Sequence, residues 1–282
     1  MPHKQSNKSE DKFEIDELLL NSWRFRSTDE FVKFFKFIGK FNHYSRYNTM
    51  LVYIQNPAVT FFGGVSFWRK KFFRSVKKDA RPYIILVPKG PVMLVYDVFE
   101  TEGDETPEEL LENGLGTDFK VKGSISEAKY DYAIELAEKW GIKIEYRPLN
   151  YFQGGYITTI TEGILEICLK ENETREKNFS TLIHELAHLF LGHAGHKKIK
   201  LKDTKQEIKL PIRNKIGKSA MELEAETVNY LVSKKIGIET PSILYIASHI
   251  TEEALLNFNY NIVIKTVDKI EKLFIYQKKT KI

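Results

Sequence analysis

The sequence holds a single cysteine, Cys168, among its 282 residues. A lone thiol excludes an internal disulfide framework and fits a reducing cytoplasm. Cys168 falls in the largely apolar run Ile164 to Leu169, where it reads as a small buried hydrophobe rather than a nucleophile. No apolar run approaches the ~18 residues of a membrane span, so no membrane association is expected. The opening MPHKQSNKSEDKFEIDE lacks the apolar stretch of a secretory leader, and residues 1–12 are expected to be disordered. Internal repeats and a glycine-rich phosphate loop are absent as well. Two local absences matter more. Between Lys40 and Lys89 the only acidic residue is Asp79, against ten basic ones. From Glu100 to Glu112 there is no basic residue, against seven acidic ones. The net charge of +5 is modest, so its distribution carries the information.

What is present is organised around NFSTLIHELAHLFLGHAGH, residues 178–196. Phe179, Leu182, Ile183, Leu186 and Phe190 recur at the spacing of one apolar helical stripe. His184 and His188 project from the other side, one turn apart. This is an H-E-x-x-H motif, which on a helix lets two neutral imidazoles hold one zinc ion while Glu185 acts as general base toward a water there. Gly192 and Gly195 supply stop signals.

A catalytic zinc site needs a third protein ligand. His193, His196 and the carboxylates of Met221 to Thr227 are the candidates. The His188-to-His193 spacing does not match the longer metzincin pattern, and His193 reads as a helix-end residue favoured by the macrodipole. Glu222 and Glu226 lie four apart on a second helix whose stripe is Met221, Ala225, Val228 and Val232. Glu222 is favoured as ligand, with Glu226 hydrogen-bonding a ligand histidine.

The basic span carries ten aromatics between Phe41 and Phe73. Cations that follow phosphates and rings that stack on unpaired bases are what single-stranded DNA requires. Arg46, Tyr47, Trp68, Arg69, Lys70, Lys71, Arg74, Lys77 and Lys78 are the candidate contacts. Other aromatics must form a core. Helices are expected over Thr28–Ile38 and Ser45–Gln55, and a hairpin from Tyr83–Val87 and Val92–Val98. The acidic stretch from Glu100 reads as a linker with a short helix after Pro107. The expected division is 1–12 disordered, 13–122 a DNA-binding domain ending in that linker, and 123–282 a metal-binding domain.

In the second domain Ser126 is a plausible N-cap for a helix stopped by Gly141. Strands follow at Ile142–Tyr146, Gly155–Ile160 and Ile164–Leu169, then the two metal helices. His196 to Lys218, with nine basic residues against two acidic, reads as a basic loop or flap. Ser242–Phe274 is helical in pattern, and its His249 reads as structural. The fold class is α+β: a small mixed N-terminal domain, then a zincin-like metallopeptidase domain.

Two stretches carry a family resemblance. FNHYSRYNTMLVYIQNPAVTFFGGVSFWRKKFFRSVKKDARPYIILVPK followed by VYDVFETEG, and HELAHLFLGH with ELEAETVNYLV and LYIASHI, resemble the plasmid antirestriction ArdC family. The latter half is also similar to ImmA/IrrE metallopeptidases. The resemblance implies an N-terminal single-stranded-DNA-binding domain, a C-terminal zincin-like domain, His184, His188 and Glu222 as ligands, and Glu185 as general base. It implies a cytoplasmic protein with DNA as partner and a peptide or protein as possible substrate. Two alternatives stand beside it: a regulatory protease that cleaves a repressor, and a DNA-binding shield whose metal is structural.

Overall fold

The computed structural model describes residues 28–41, 43–87, 90, 92–112, 115, 123–150, 154–160, 164–202, 204, 206–238 and 250–275. The expectations for residues 1–12, the turn at 161–163, and the helix start and His249 within 239–249 lie outside the described residues. The fold is α+β. Helices α1 (Thr28–Lys40), α2 (Arg46–Gln55) and α3 (Val65–Phe72) precede and flank a three-stranded antiparallel sheet. Its order is β1 (Phe62–Gly63), β4 (Met93–Asp97), β3 (Tyr83–Ile85). The expected hairpin forms, with Ile84 opposite Leu94.

The outer edge of β3 is closed by side chains. Asn48 and Gln55 lie seven apart on α2, two turns along one face. Asn48 accepts from Leu86 N and donates to Leu86 O, at 3.0 and 2.8 Å. Gln55 does the same with Ile84, at 2.9 Å each way. The two amides thus stand in for a neighbouring strand, which satisfies backbone groups that a sheet edge would leave open.

A two-stranded ribbon pairs β2 (Ser75–Val76) with β5 (Thr101–Glu102), and α4 (Pro107–Glu112) ends the acidic stretch. Then α5 (Glu127–Lys139) leads into a second sheet of order β6 (Ile142–Arg147), β8 (Leu165–Lys170), β7 (Gly155–Thr159). β6 runs parallel to β8 and β7 antiparallel to it. β8 is central and buried, Cys168 included at 0% exposure. Among the described residues β7 is an edge. The helices that carry the candidate ligands follow, α6 (Arg175–Phe190) and α7 (Lys218–Ile236). The C-terminal helical pattern is broken into α8 (Glu252–Asn257) and α9 (Tyr260–Ile275), because Phe258 is extended and the Asn259 side chain caps the new helix by accepting from Ile262 N.

Helix α1 packs on α7. Phe31 and Phe35 meet Phe258 with ring centroids 5.0 and 5.8 Å apart. The N-terminal helices therefore share a continuous apolar core with the C-terminal ones. The basic segment 196–218 is not a free flap. It holds an antiparallel ribbon, β9 (Lys198–Lys200) with β10 (Glu207–Lys209). Ile199 and Leu210 are buried, and Lys202 N donates to Lys139 O at the end of α5. Charged residues flank a single apolar residue in each strand, Ile199 and Ile208, so a charge run concealed two short amphipathic strands.

Candidate metal centre

Helix α6 starts at Thr174, whose hydroxyl accepts from Lys177 N at 3.4 Å. Its stripe is in the core: Phe179, Leu182 and Ile183 are 0% exposed, Leu186 2% and Phe190 3%. The helix stops where Gly192 takes φ +82°, a left-handed conformation that suits glycine. A Cβ there would lie 2.2 Å from Pro211 O, so the close approach admits no side chain. This stop turns the chain back and buries His193. Burial of the stripe leaves His184 and His188 facing the Glu222 and Glu226 carboxylates of α7, with Glu185 set beside Ile157 of β7.

On α7, Ala225, Val228 and Val232 are fully buried while Glu222 and Glu226 face α6. His184 Nε2 and His188 Nε2 are 3.1 Å apart. Glu222 Oε2 lies 3.4 Å from the first and 3.6 Å from the second. Ligands about 2.0–2.2 Å from a tetrahedral ion are roughly 3.3–3.6 Å from one another, so this triangle has about the size of three corners of such a shell. Two imidazoles and a carboxylate suit zinc and other borderline divalent ions. On the far side of the rings, His184 Nδ1 is 3.2 Å from Glu226 Oε1, and His188 Nδ1 is 3.0 Å from His193 Nδ1. His188 Nδ1 has His193 beside it and His184 Nδ1 has the Glu226 carboxylate, so both Nε2 atoms and the Glu222 oxygen converge on one point, where a cation would be favourable.

The charges agree with that demand. Burial opposes a charge on His184, but the Glu222 and Glu226 carboxylates overcome it and push its pKa up to about 10. Hydrogen bonds from His184 and His188 hold the Glu222 carboxyl well below the usual range. Burial pushes Glu185 up, and the neighbouring histidines only partly counter it. That is the direction a general base working near neutral pH needs. Beside His188 and Glu222 opens a cavity of about 390 Å³, with Ile157 to Thr159 of β7 as one wall and Met221 of α7 on another. Gly155 lets β7 approach closely, since a Cβ there would meet Thr181 and Cys168 O, each at 2.5 Å.

Residues 137–233 match the family model Peptidase_M78, the IrrE N-terminal-like domain. The matched span, less than half of the chain, contains His184, Glu185, His188, Glu222 and Glu226. Nothing among curated proteins matches the chain. Two solved structures of the antirestriction ArdC protein from the R388 plasmid are similar to it. The Mn(II)-bound one is 11% identical, with a TM-score of 0.43 and coverage of 83% of this chain and 86% of that one. The metal-free one is 13% identical, with a TM-score of 0.41 and 82% of each chain covered. No helix among the described residues is long and apolar enough to cross a membrane.

Outside the IrrE-like span the candidate DNA contacts divide. Three are in the core, contrary to expectation. Arg46 is 0% exposed, donating to Glu271 at 2.9 Å and to the carbonyls of Ile38 and Leu231 at 2.6 and 3.2 Å. Trp68 is 0% exposed, with its indole N–H on Tyr96 O at 3.1 Å and Phe67 edge-on at 5.3 Å. Arg74 is 3% exposed and spends its guanidinium on Thr101 and the Glu105 carbonyl. Cations and rings spent in this way cannot meet phosphates or bases. Tyr47 is half-buried against the core. Arg69, Lys70, Lys71, Lys77 and Lys78 are exposed. Beside them Phe73, not singled out in the sequence, is 85% exposed and holds φ +54°, with Arg74 N bonded to Trp68 O. Its signal in the sequence was an aromatic directly after a basic helical turn. His193 and Glu224 were among the candidates for the third ligand, but their pairing with each other behind His188 was not foreseen. His193 Nε2 is 2.9 Å from Glu224 Oε2, and both side chains are buried.

Proposed function

We propose that the chain is an antirestriction-type protein of the cytoplasm that binds single-stranded DNA and hydrolyses peptide bonds at a zinc ion held by His184, His188 and Glu222. The hydrolase part rests on one observation above others: the triangle of 3.1, 3.4 and 3.6 Å formed by the two Nε2 atoms and the Glu222 oxygen. When bound, the ion supplies an activated water and a polarised carbonyl. Glu185 receives the proton of the attacking water and delivers it to the leaving amine. The edge that β7 presents among the described residues, along the cavity, pairs with an extended peptide and sets one bond above the histidines. The DNA part is supported by the exposed cations Arg69, Lys70, Lys71, Lys77 and Lys78, with Phe73 as an outward ring for stacking.

Fluorescent casein tests the chemistry. Zinc-loaded wild type cleaves it, while Glu185→Gln binds zinc equally and does not cleave. Equal cleavage by both removes Glu185 from the mechanism. Full antirestriction activity in a Glu185→Gln chain, with no cleavage by wild type, selects the DNA-binding shield with a structural metal. Cleavage without any DNA binding selects the regulatory protease.

A further inference from the structure

A buried relay continues from the metal triangle to residues that touch no candidate ligand atom. His188 Nδ1 is 3.0 Å from His193 Nδ1. His193 Nε2 is 2.9 Å from Glu224 Oε2. Both terminal guanidinium nitrogens of Arg213, Nη1 and Nη2, donate to Glu224, the Nη2 contact at 2.7 Å, and Asn259 N–H donates to Oε1 at 2.7 Å. Arg213 Nη2 also reaches Asn257 O at 3.3 Å. Glu224 thus accepts from His193, Arg213 and Asn259 at 0% exposure.

We infer that His193 and Glu224 are positioning residues that hold His188 in the one tautomer able to bind the ion through Nε2. The direction follows from the far end. Arg213 and the Asn259 amide can only donate, so Glu224 is a carboxylate and acts as acceptor toward His193 Nε2. His193 therefore carries its proton on Nε2 and offers a lone pair at Nδ1. That lone pair can be satisfied only by a proton on His188 Nδ1, which leaves His188 Nε2 bare and facing His184 and Glu222. The arrangement extends the carboxylate–histidine pairing found behind metal ligands by one imidazole.

Stability alone does not account for the relay. A buried ion pair such as Arg213–Glu224 contributes little net stability, because desolvation offsets the attraction. Its anchor is rigid: Asn257 and Asn259 bracket Phe258, whose ring is packed by Phe31 and Phe35 of α1.

The inference rests on reading His184, His188 and Glu222 as the metal site. It is tested in the full chain, stripped with chelator and titrated with Co²⁺ against a competing chelator, reading affinity and the cobalt visible spectrum. His193→Phe keeps ring volume but offers His188 no acceptor, so affinity should fall about 10–100-fold with a changed spectrum. His193→Asn places an oxygen near the Nδ1 position and should recover most of that loss. Glu224→Gln, which retains shape without charge, should weaken binding in the same direction. The inference is overturned if His193→Phe binds Co²⁺ like wild type, or if His193→Asn is as weak as His193→Phe. Should His193→Phe fail to fold, judged by circular dichroism of the metal-free chain, the Asn and Gln variants decide. A wild type that binds no Co²⁺ sinks the metal-site reading itself, not the relay.

Discussion

Arg46 and Glu271, 225 positions apart in the chain, meet in the core at 2.8 Å with side chains 0% and 4% exposed. Arg46 also takes up carbonyls of Ile38 and Leu231, so one guanidinium ties the end of α1 and the middle of α7 to α9. Arg46→Ala should cost about 3 kcal/mol, near the low end for an orphaned buried pair. The low end applies because Lys235 stays on Glu271 at 2.6 Å. Chemical denaturation measures this. Below the transition the variant should bind DNA as wild type does. A specific loss of DNA affinity without destabilisation would put Arg46 back among the contacts.

Phe73, rather than Trp68, should be the ring that stacks on DNA. Phe73→Ala removes an exposed ring and should lower single-stranded DNA affinity by about 1–3 kcal/mol, with no loss of thermal stability. Trp68→Phe should destabilise the fold and leave the affinity of the folded fraction unchanged. Fluorescence anisotropy with labelled single-stranded oligonucleotides across a salt series checks both. The same series tests the cations, since taking one cation away from a phosphate, as in Lys70→Ala, should lower the salt slope by roughly 0.7. An unaltered slope in the variants of Arg69, Lys70, Lys71, Lys77 and Lys78 would move the DNA site elsewhere.

The parts of this molecule that local periodicity controls were legible in its sequence. The stripe of α6 is five residues within one helix, and it alone sends His184 and His188 outward. Glu222 and Glu226, four apart, follow the same rule. The roles of Arg46, Trp68 and Arg74 depend instead on partners 27 to 225 positions away, which no window of sequence contains. Glu224 escaped for a geometric reason. It sits two residues from Glu222, so it projects from a different side of α7 and meets His193 rather than the His184–His188–Glu222 triangle. The ribbon of β9 and β10 was hidden because the charged neighbours of Ile199 (Lys198 and Lys200) and of Ile208 (Glu207 and Lys209) read as a solvated run.

The raised pKa of His184 makes metal-free stability depend on pH. The folded value, about 10, lies above the ordinary 6.5. Protonation therefore stabilises the metal-free fold fully below pH ~6.5, and that stabilisation is lost as pH rises toward ~10. Zinc competes with the same proton, so its stabilising effect should grow over the same range. Melting curves of stripped and zinc-loaded protein from pH 6 to 10 should diverge as pH rises. Parallel curves would show that no proton leaves His184 when the ion binds.

His184, His188 and Glu222 carry most of the proposed chemistry, and equilibrium dialysis against zinc addresses them directly. The stripped full-length chain should take up one ion, and the triple variant His184→Ala, His188→Ala, Glu222→Ala should take up none while retaining its helical circular dichroism. A wild type that takes up no zinc, or a triple variant that still takes up one ion, would place the metal elsewhere or nowhere and remove the basis for hydrolysis at this site.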